Sequence, residues 1–330
     1  MSAVIEVRNL KKHFDVPGGV LNALDGISFK VEQGTTIGIV GESGCGKSTL
    51  GRTIIHLEES TDGQILYHDR DVTHLGRREL KKFREKVQFI FQDPYASLNP
   101  RMTIEETIQE PLRLSGRYSK AELEQAVTEL MERTGIEERL QRSYPHELDG
   151  GRRQRVGIAR ALALDPDFIV CDEPVSALDV SIQAQILNLL MDIQDERKLT
   201  MMFVTHDLSV VEHISDTIGV MYLGQMVEMS PTKALFSQPL HPYTQALLSA
   251  VPSTDIHKPS ERIILKGELT SPINPKPGCR FRSRCPYARK QCTENQALQE
   301  IKPGHFVACN LVPELNDIAA TAMIHDRSQL

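Results

Sequence analysis

Residues 41–49 read Gly-Glu-Ser-Gly-Cys-Gly-Lys-Ser-Thr. This is the spacing G-x-x-x-x-G-K-[ST] of a loop that cradles phosphates. Gly41, Gly44 and Gly46, with Ser43 and Cys45 between them, let the backbone wrap so that successive N–H groups point at anionic oxygen. Lys47 is spaced to reach the β- and γ-phosphates and the Ser48 hydroxyl to hold Mg²⁺, while Thr49 continues into a helix start whose dipole favours negative charge. Three more residues have matching chemistry. Asp172, after the apolar run Phe168 to Cys171, suits Mg²⁺ directly or through water, and Glu173 suits polarising a water that attacks the γ-phosphate. His206, two residues past the apolar run Met201 to Val204, is positioned to bridge the γ-phosphate and that water.

These groups need a frame. The apolar run Thr36 to Val40 reads as a buried parallel strand before the loop, with a helix over Leu50 to Leu57 after it. Val87 to Phe91 is a further buried strand ending at Gln92, and ligands of open α/β sheets bind at that end. Phe168–Cys171 and Met201–Val204 supply two more strands. Val4 to Val7 and Val20 to Val31 read as strands near the N-terminus, and Ile218 to Met229 as a hairpin. Thr103 to Leu114 and Ser119 to Thr134 form a helical insert, the second helix opening on a Ser119/Glu122 capping box. Arg152 to Leu164 and Ser181 to Glu196 are further helices, and the basic stretch Leu75 to Lys86 reads as a solvated helix face.

Bulk properties narrow the class. The chain has 330 residues, 40% of them hydrophobic, and a net charge of -6, which gives no reason to expect a nucleic-acid partner. No apolar stretch approaches the length that spans a bilayer, and Met1 to Glu6 has no secretory pattern. A cytosolic protein is expected, meeting a membrane only through a protein partner. Six cysteines in a reducing compartment argue against a disulfide framework. Cys279, Cys285, Cys292 and Cys309 instead form a complete ligand set for structural zinc or an iron–sulfur cluster, and their spacing does not separate the two. Arg280, Arg282, Arg284 and Arg289 are expected to offset the charge of such a site. Cys45 and Cys171 read as small buried residues. Composition shifts near Pro239, so residues 1–238 are expected as one domain and 239–330 as a second, small Cys-rich one. Val312 to Leu330 carry no strong pattern.

The order of phosphate loop, Gln92, Gly150-Gly151, Asp172-Glu173-Pro174, Ser176-Ala177-Leu178-Asp179 and His206 resembles ABC-transporter nucleotide-binding domains over about residues 1–250. The resemblance implies an α/β fold, with a RecA-like phosphate-loop core, an antiparallel β subdomain and a helical subdomain. It implies ATPase activity with Mg²⁺ held near Ser48, Gln92 and Asp172, and head-to-tail pairing of two such domains around two ATP molecules. Phe14 matches the adenine-stacking aromatic, Gln92 the loop that senses γ-phosphate and meets the transmembrane partner, and His206 the switch histidine. Ser176 to Asp179 match the loop that crosses the dimer interface.

One departure stands out. The family signature Leu-Ser-Gly-Gly-Gln reads Leu148-Asp149-Gly150-Gly151-Arg152 here. In the family that serine and the glycine N–H groups cap the γ-phosphate of ATP on the opposite subunit. Asp149 brings a carboxylate toward that phosphate, an unfavourable pairing where water is scarce. The expectation is a competent loop and Glu173 in this chain, with an altered site on the partner's ATP. Pairing of Arg152 with Asp149 is the alternative that leaves that site functional.

His241-Pro242-Tyr243-Thr244, Gly278-Cys279-Arg280-Phe281 and Arg284-Cys285-Pro286 resemble the C-terminal extension of ATP-binding subunits in dipeptide and oligopeptide importers. That resemblance implies a 4Fe–4S cluster on the four cysteines in at least some members, which favours cluster over zinc. It also implies a second homologous ATP-binding subunit, two transmembrane permeases, an extracytoplasmic substrate-binding protein, and a peripheral location on the cytoplasmic face of the membrane. The rival readings are another cargo, such as nickel or a glycan, and a non-transport ABC protein in DNA repair or translation. The short helical insert and the single cassette disfavour the latter.

Overall fold

A computed structural model describes residues 2–251, 262–265, 267 and 271–312. The expectation for Val312 to Leu330 falls, beyond Val312 itself, outside the described residues. The chain opens with two long strands, β1 (Ala3–Val16) and β2 (Gly19–Glu32), paired antiparallel around a turn at Pro17 and Gly18. Then come β3 (Thr36–Val40), β4 (Asp62–Tyr67), the short β5 (Arg70–Asp71) and β6 (Val87–Ile90). They are followed by β7 (Phe168–Asp172), β8 (Thr200–Val204), β9 (Thr217–Tyr222), β10 (Gln225–Pro231), β11 (Gln299–Lys302) and β12 (His305–Val307). The strands form two sheets, one ordered β2-β1-β4-β5 and one ordered β11-β12-β10-β9-β3-β8-β7-β6.

In the larger sheet β9, β3, β8, β7 and β6 run parallel. Strands β3, β7 and β8 are buried at every position, which is why they read as unbroken apolar runs rather than alternating ones. One face packs against the first sheet: Ile5, Leu10, Leu24 and Ile27 meet Ile37, Ile39, Val170 and Met202 in a single core. The other core carries the helical insert, with Ile104, Ile108, Val127 and Leu130 beside Ile158, Ile186 and Phe203.

The helices follow from their caps. Helix α1 (Lys47–Ile54) starts directly after Gly46, whose φ of 105° ends the phosphate loop, so it begins earlier than the apolar pattern alone places it. Helix α2 (Arg77–Lys86) buries only Phe83, in keeping with a solvated basic face. The Pro-rich stretch after Gln92 contains a single helical turn, α3 (Pro94–Ser97), capped by the Asp93 carboxylate. Helices α4 (Ile104–Ser115) and α5 (Lys120–Arg133) both start on capping boxes, Thr103/Glu106 and Ser119/Glu122. Helices α6 (Gly150–Leu162), α7 (Val180–Arg197) and α8 (Leu208–Ile214) complete the cassette, and α9 (Thr232–Ser237) and α10 (Pro242–Ser249) lead into the extension.

Among the described residues the extension is not set apart as a separate layer. Strand β12 pairs antiparallel with β10, so the main sheet runs across the boundary expected at residue 238. Phe281 and Tyr243 belong to the main core, packed with Tyr222 of β9. A buried carboxylate fastens the join: Glu228 accepts N–H bonds from Leu240 and His241 at 2.8 and 2.9 Å and contacts His305 Nε2 at 2.6 Å. The physical reason is the pattern on β10, whose inward side needs a cover that the residues after 238 supply.

Candidate nucleotide-binding site

The carboxyl ends of β3, β7 and β8 converge on one cleft of 440 Å³. Phe14, Ser43, Gly44, Gly46, Lys47, Ser48, Thr49, Gln92, Glu173 and His206 all line it. Residues from five separate stretches of sequence thus meet on one surface, because parallel strands present their carboxyl ends on the same edge. Phe14 lies half-buried at one end of the cleft, with the Lys12 ammonium 4.6 Å from its ring centre.

The loop geometry explains its glycines. A Cβ on Gly46, at φ 105°, would stand 2.3 Å from the Ala23 carbonyl oxygen, and one on Gly41 2.2 Å from that of Met221. Lys47 is buried, and its Nζ donates to the carbonyls of Gly41 at 2.8 Å and Glu42 at 3.1 Å. The ammonium is therefore held at the mouth of the loop by its own backbone. Cys45 and Cys171 are buried, and burial pushes both thiols up, Cys171 to about 12, which leaves them as inert small side chains.

Around Asp172 the arrangement suits a dication. Ser48 Oγ donates to Asp172 Oδ1 at 2.7 Å, and Asp172 Oδ2 is buried with no hydrogen-bond partner. Burial pushes the carboxyl above its usual range, against the pull of the Ser48 bond and of Arg52. A buried oxygen lacking a partner beside a serine hydroxyl is the donor set Mg²⁺ takes. Glu173 follows at φ 44°, a left-handed conformation that turns its side chain off the strand and into the cleft. Both its carboxylate oxygens are held: Oε2 by Gln92 Nε2 at 2.9 Å, and Oε1 beside His206 Nδ1 at 3.3 Å. Two side chains from neighbouring strand ends thereby fix a single carboxylate.

Asp149, Gly150, Gly151 and Arg152 do not line this cleft. Asp149 caps α6, its Oδ1 accepting the Arg152 N–H at 2.8 Å, a task serine also performs. The Arg152 guanidinium lies 3.3 Å from Asp149 Oδ2 and 2.8 Å from Glu137. Cβ atoms on Gly150 and Gly151 would stand 3.0 Å from Leu178 and 2.6 Å from Ile182, so the glycines also let α6 approach the Ser176–Asp179 loop and the helix after it. That packing role is not legible in the motif.

The cysteines behave differently. All six are free, and Cys279, Cys285 and Cys309 are partly buried. Burial raises the Cys279 thiol to about 11. Among the described residues, however, no three His, Cys, Asp or Glu side chains are arranged to hold a metal ion. The expected cluster or zinc therefore finds no coordination shell among the described residues. Three of the four arginines expected to neutralise it are engaged elsewhere. Arg280 bonds the Leu223 carbonyl and Asp25, Arg284 bonds Glu42 at 2.7 Å, and Arg282 bonds the Pro277 carbonyl at 3.2 Å.

Several cleft residues carried no sequence signal. Leu21, Asn22, Ala23, Leu223, Gly224 and Pro272 complete the wall, the last from the extension. Pro272 arrives there because its carbonyl accepts the Asn22 N–H at 3.1 Å, beside a strand-like contact of Ile273 with Leu21.

The fold and this cleft define an ATP-binding cassette. Residues 24–176 match the ABC transporter family and residues 227–292 the oligopeptide/dipeptide transporter C-terminal region. The chain is 53% identical over 314 residues to the putative oligopeptide transport ATP-binding protein YkfD of Bacillus subtilis, covering 93% of this chain and 95% of the relative. It is 49% identical to the dipeptide transport ATP-binding protein DppF of Haemophilus influenzae, covering 91% and 94%. Among solved structures, the ATP-binding cassette MJ0796, a dimer bound to ADP and Pi, superposes with a TM-score of 0.64 at 31% identity, covering 69% of this chain and 98% of that one. The chain belongs to the ABC transporter family of ATPases, in the branch whose members carry the oligopeptide/dipeptide transporter C-terminal region. No helix among its described residues is long and apolar enough to cross a membrane.

Proposed function

We propose that this chain hydrolyses ATP to drive peptide import through a membrane complex. The observation that carries the reading is the cleft in which the phosphate loop, Asp172, Glu173, Gln92 and His206 meet. Glu173 is the general base: with one oxygen held by Gln92 and the other beside His206, it is oriented to take a proton from water in line with the γ-phosphate. Lys47 exchanges its carbonyl partners for phosphate oxygens when ATP enters. Ser48, Asp172 and Gln92 would hold Mg²⁺, which would supply charge neutralisation at the phosphates. Phe14 stacks on adenine.

The cargo reading rests on relatives named for oligopeptide and dipeptide transport. In this reading the chain sits at the cytoplasmic face beneath two permeases, fed by a substrate-binding protein. It pairs head to tail with a second, homologous ATPase, whose ATP is capped by residues 149–152 while Ser176 to Asp179 cross the interface. The Asp149–Arg152 pairing, at 3.3 Å, supports retention of that second site over its weakening. Another cargo, such as nickel or a glycan, leaves every residue of this site with the same task. The four cysteines are proposed to carry a 4Fe–4S cluster, with zinc as the alternative, on the strength of four free cysteines in the extension. Iron and sulfide at about four each per anaerobically purified chain support the cluster, and neither metal in folded protein removes it.

The test is uptake into vesicles holding the assembled complex. ATP-dependent peptide accumulation that stops with Glu173→Gln is expected. A complex that hydrolyses ATP yet accumulates nickel or a sugar and no peptide would overturn the cargo.

A further inference from the structure

The phosphate loop is not held only by the cassette. Glu42, its second residue, is gripped at three points. Its carbonyl accepts from Lys47 at 3.1 Å. Its backbone N–H donates to the Tyr243 hydroxyl at 2.9 Å, and its carboxylate accepts from Arg284 at 2.7 Å. The last two partners come from the extension, some two hundred residues away in sequence. The Arg284–Glu42 pair is largely shielded from water, with 10% and 25% of the two side chains exposed, so it is screened less than a surface pair.

Both grips are themselves fixed. Tyr243 is fully buried, and its ring packs against Tyr222 and Phe281 with centroids 4.7 and 5.4 Å apart. Its backbone N–H donates to the ring of His241, which caps α10, and the His241 N–H donates to buried Glu228. The tyrosine hydroxyl therefore has little freedom to leave the loop. Arg284 stands next to Cys285 and five residues after Cys279, and the Glu42 carboxylate holds its guanidinium firmly protonated. The arginine-bearing segment between these two cysteines is thus tied to the loop that receives phosphate.

We infer that Tyr243 and Arg284 are positioning residues for nucleotide binding, acting through Glu42 to set the phosphate loop in its receiving shape. Neither touches the cleft, since neither lines it. Their effect passes through the loop backbone: fixing the Glu42 amide and carboxylate fixes the carbonyl that Lys47 leans on, and so the ordering cost that ATP otherwise meets on binding falls. The inference rests on the ATP-site reading.

The test is ATP affinity of the purified full-length chain, read by displacement of a fluorescent ATP analogue, with KM and kcat measured alongside. Lys47→Ala is the control for the site. Arg284→Met is expected to weaken ATP binding about tenfold and Tyr243→Phe, which keeps the ring packing, about three- to fivefold. KM should move more than kcat. In a Glu42→Gln background Arg284→Met should add little further loss, the mark of an effect passing through Glu42. Affinities within twofold of wild type for both variants, or a full additional loss in the Glu42→Gln background, would overturn the inference. A wild-type chain that binds no ATP would instead overturn the site itself. If Arg284→Met fails to fold, Tyr243→Phe alone decides, by the same comparison.

Discussion

The phosphate loop and the four-cysteine segment are both small, chemically loaded stretches, yet they are built on opposite principles. The loop is contiguous: residues 41–49 carry their own geometry through glycines in left-handed conformations and a helix start. The cysteines are scattered over residues 279 to 309, so any meeting of their thiols depends on how the extension packs. Most of the loop's backbone shape is written in neighbouring residue types, with the extension adding its hold on Glu42. A coordination shell assembled from distant residues depends on tertiary contacts and, for its final arrangement, on the ion itself. Two motifs of equal chemical promise therefore reach different degrees of structural closure.

Substitutions in the two regions should separate them. The largest effect is expected from Lys47→Ala, which removes the only lysine in the loop. ATP affinity should fall at least a hundredfold, on the order of 3 kcal/mol, measured by equilibrium titration. Next, Gly46→Ala forces a Cβ to within 2.3 Å of the Ala23 carbonyl at φ 105°. It should cost more than about 1 kcal/mol in stability and lower ATP affinity as well, read by melting temperature and titration.

The extension offers a contrast through pH. Burial pushes the His241 imidazole from its ordinary 6.5 down to about 4, against the pull of Glu228. The unfolded chain binds a proton there as pH falls through 6.5 while the folded chain does not until about 4. Stability from this group is therefore complete above pH 6.5 and lost progressively toward pH 4, at about 1.4 kcal/mol for each pH step of one between those values. His241→Asn, which retains a capping oxygen, should flatten the fall in melting temperature between about pH 7 and pH 5. An unchanged slope would place the acid sensitivity elsewhere.

Smaller effects are expected at the signature. Asp149→Ala removes the α6 cap and should cost about 1 kcal/mol, whereas Asp149→Ser keeps it and should change stability by less than about half that. Turnover of the assembled transporter carrying Asp149→Ser with Arg152→Gln should stay within about twofold of wild type if the pair already serves. A large rise in turnover would show that the natural residues weaken the partner's site.

The cassette is largely legible in the sequence because its strands are buried on both faces and its motifs are contiguous. Strands β3, β7 and β8 stand out as apolar runs, and each catalytic candidate stands where such a run ends. The one-turn helix after Asp93 and the short strands β5, β11 and β12 are not legible, because two to four residues carry too little periodicity. The second grip on Glu42 is invisible for a different reason. Tyr243 and Arg284 are recognisable as members of tail motifs, but nothing in their spacing says that the tail folds back on the loop. Likewise the arginines near the cysteines look like counter-charges, yet two of them, Arg280 and Arg284, are bolts between extension and cassette.

Whether Glu173 in this cleft is the base for ATP hydrolysis is decided by comparing hydrolysis at saturating ATP by the purified chain and its Glu173→Gln variant. The expected result is ATP affinity within about twofold of wild type and hydrolysis slower by about 10²- to 10⁴-fold. Equal hydrolysis rates with intact ATP binding would contradict it and move the base to another residue.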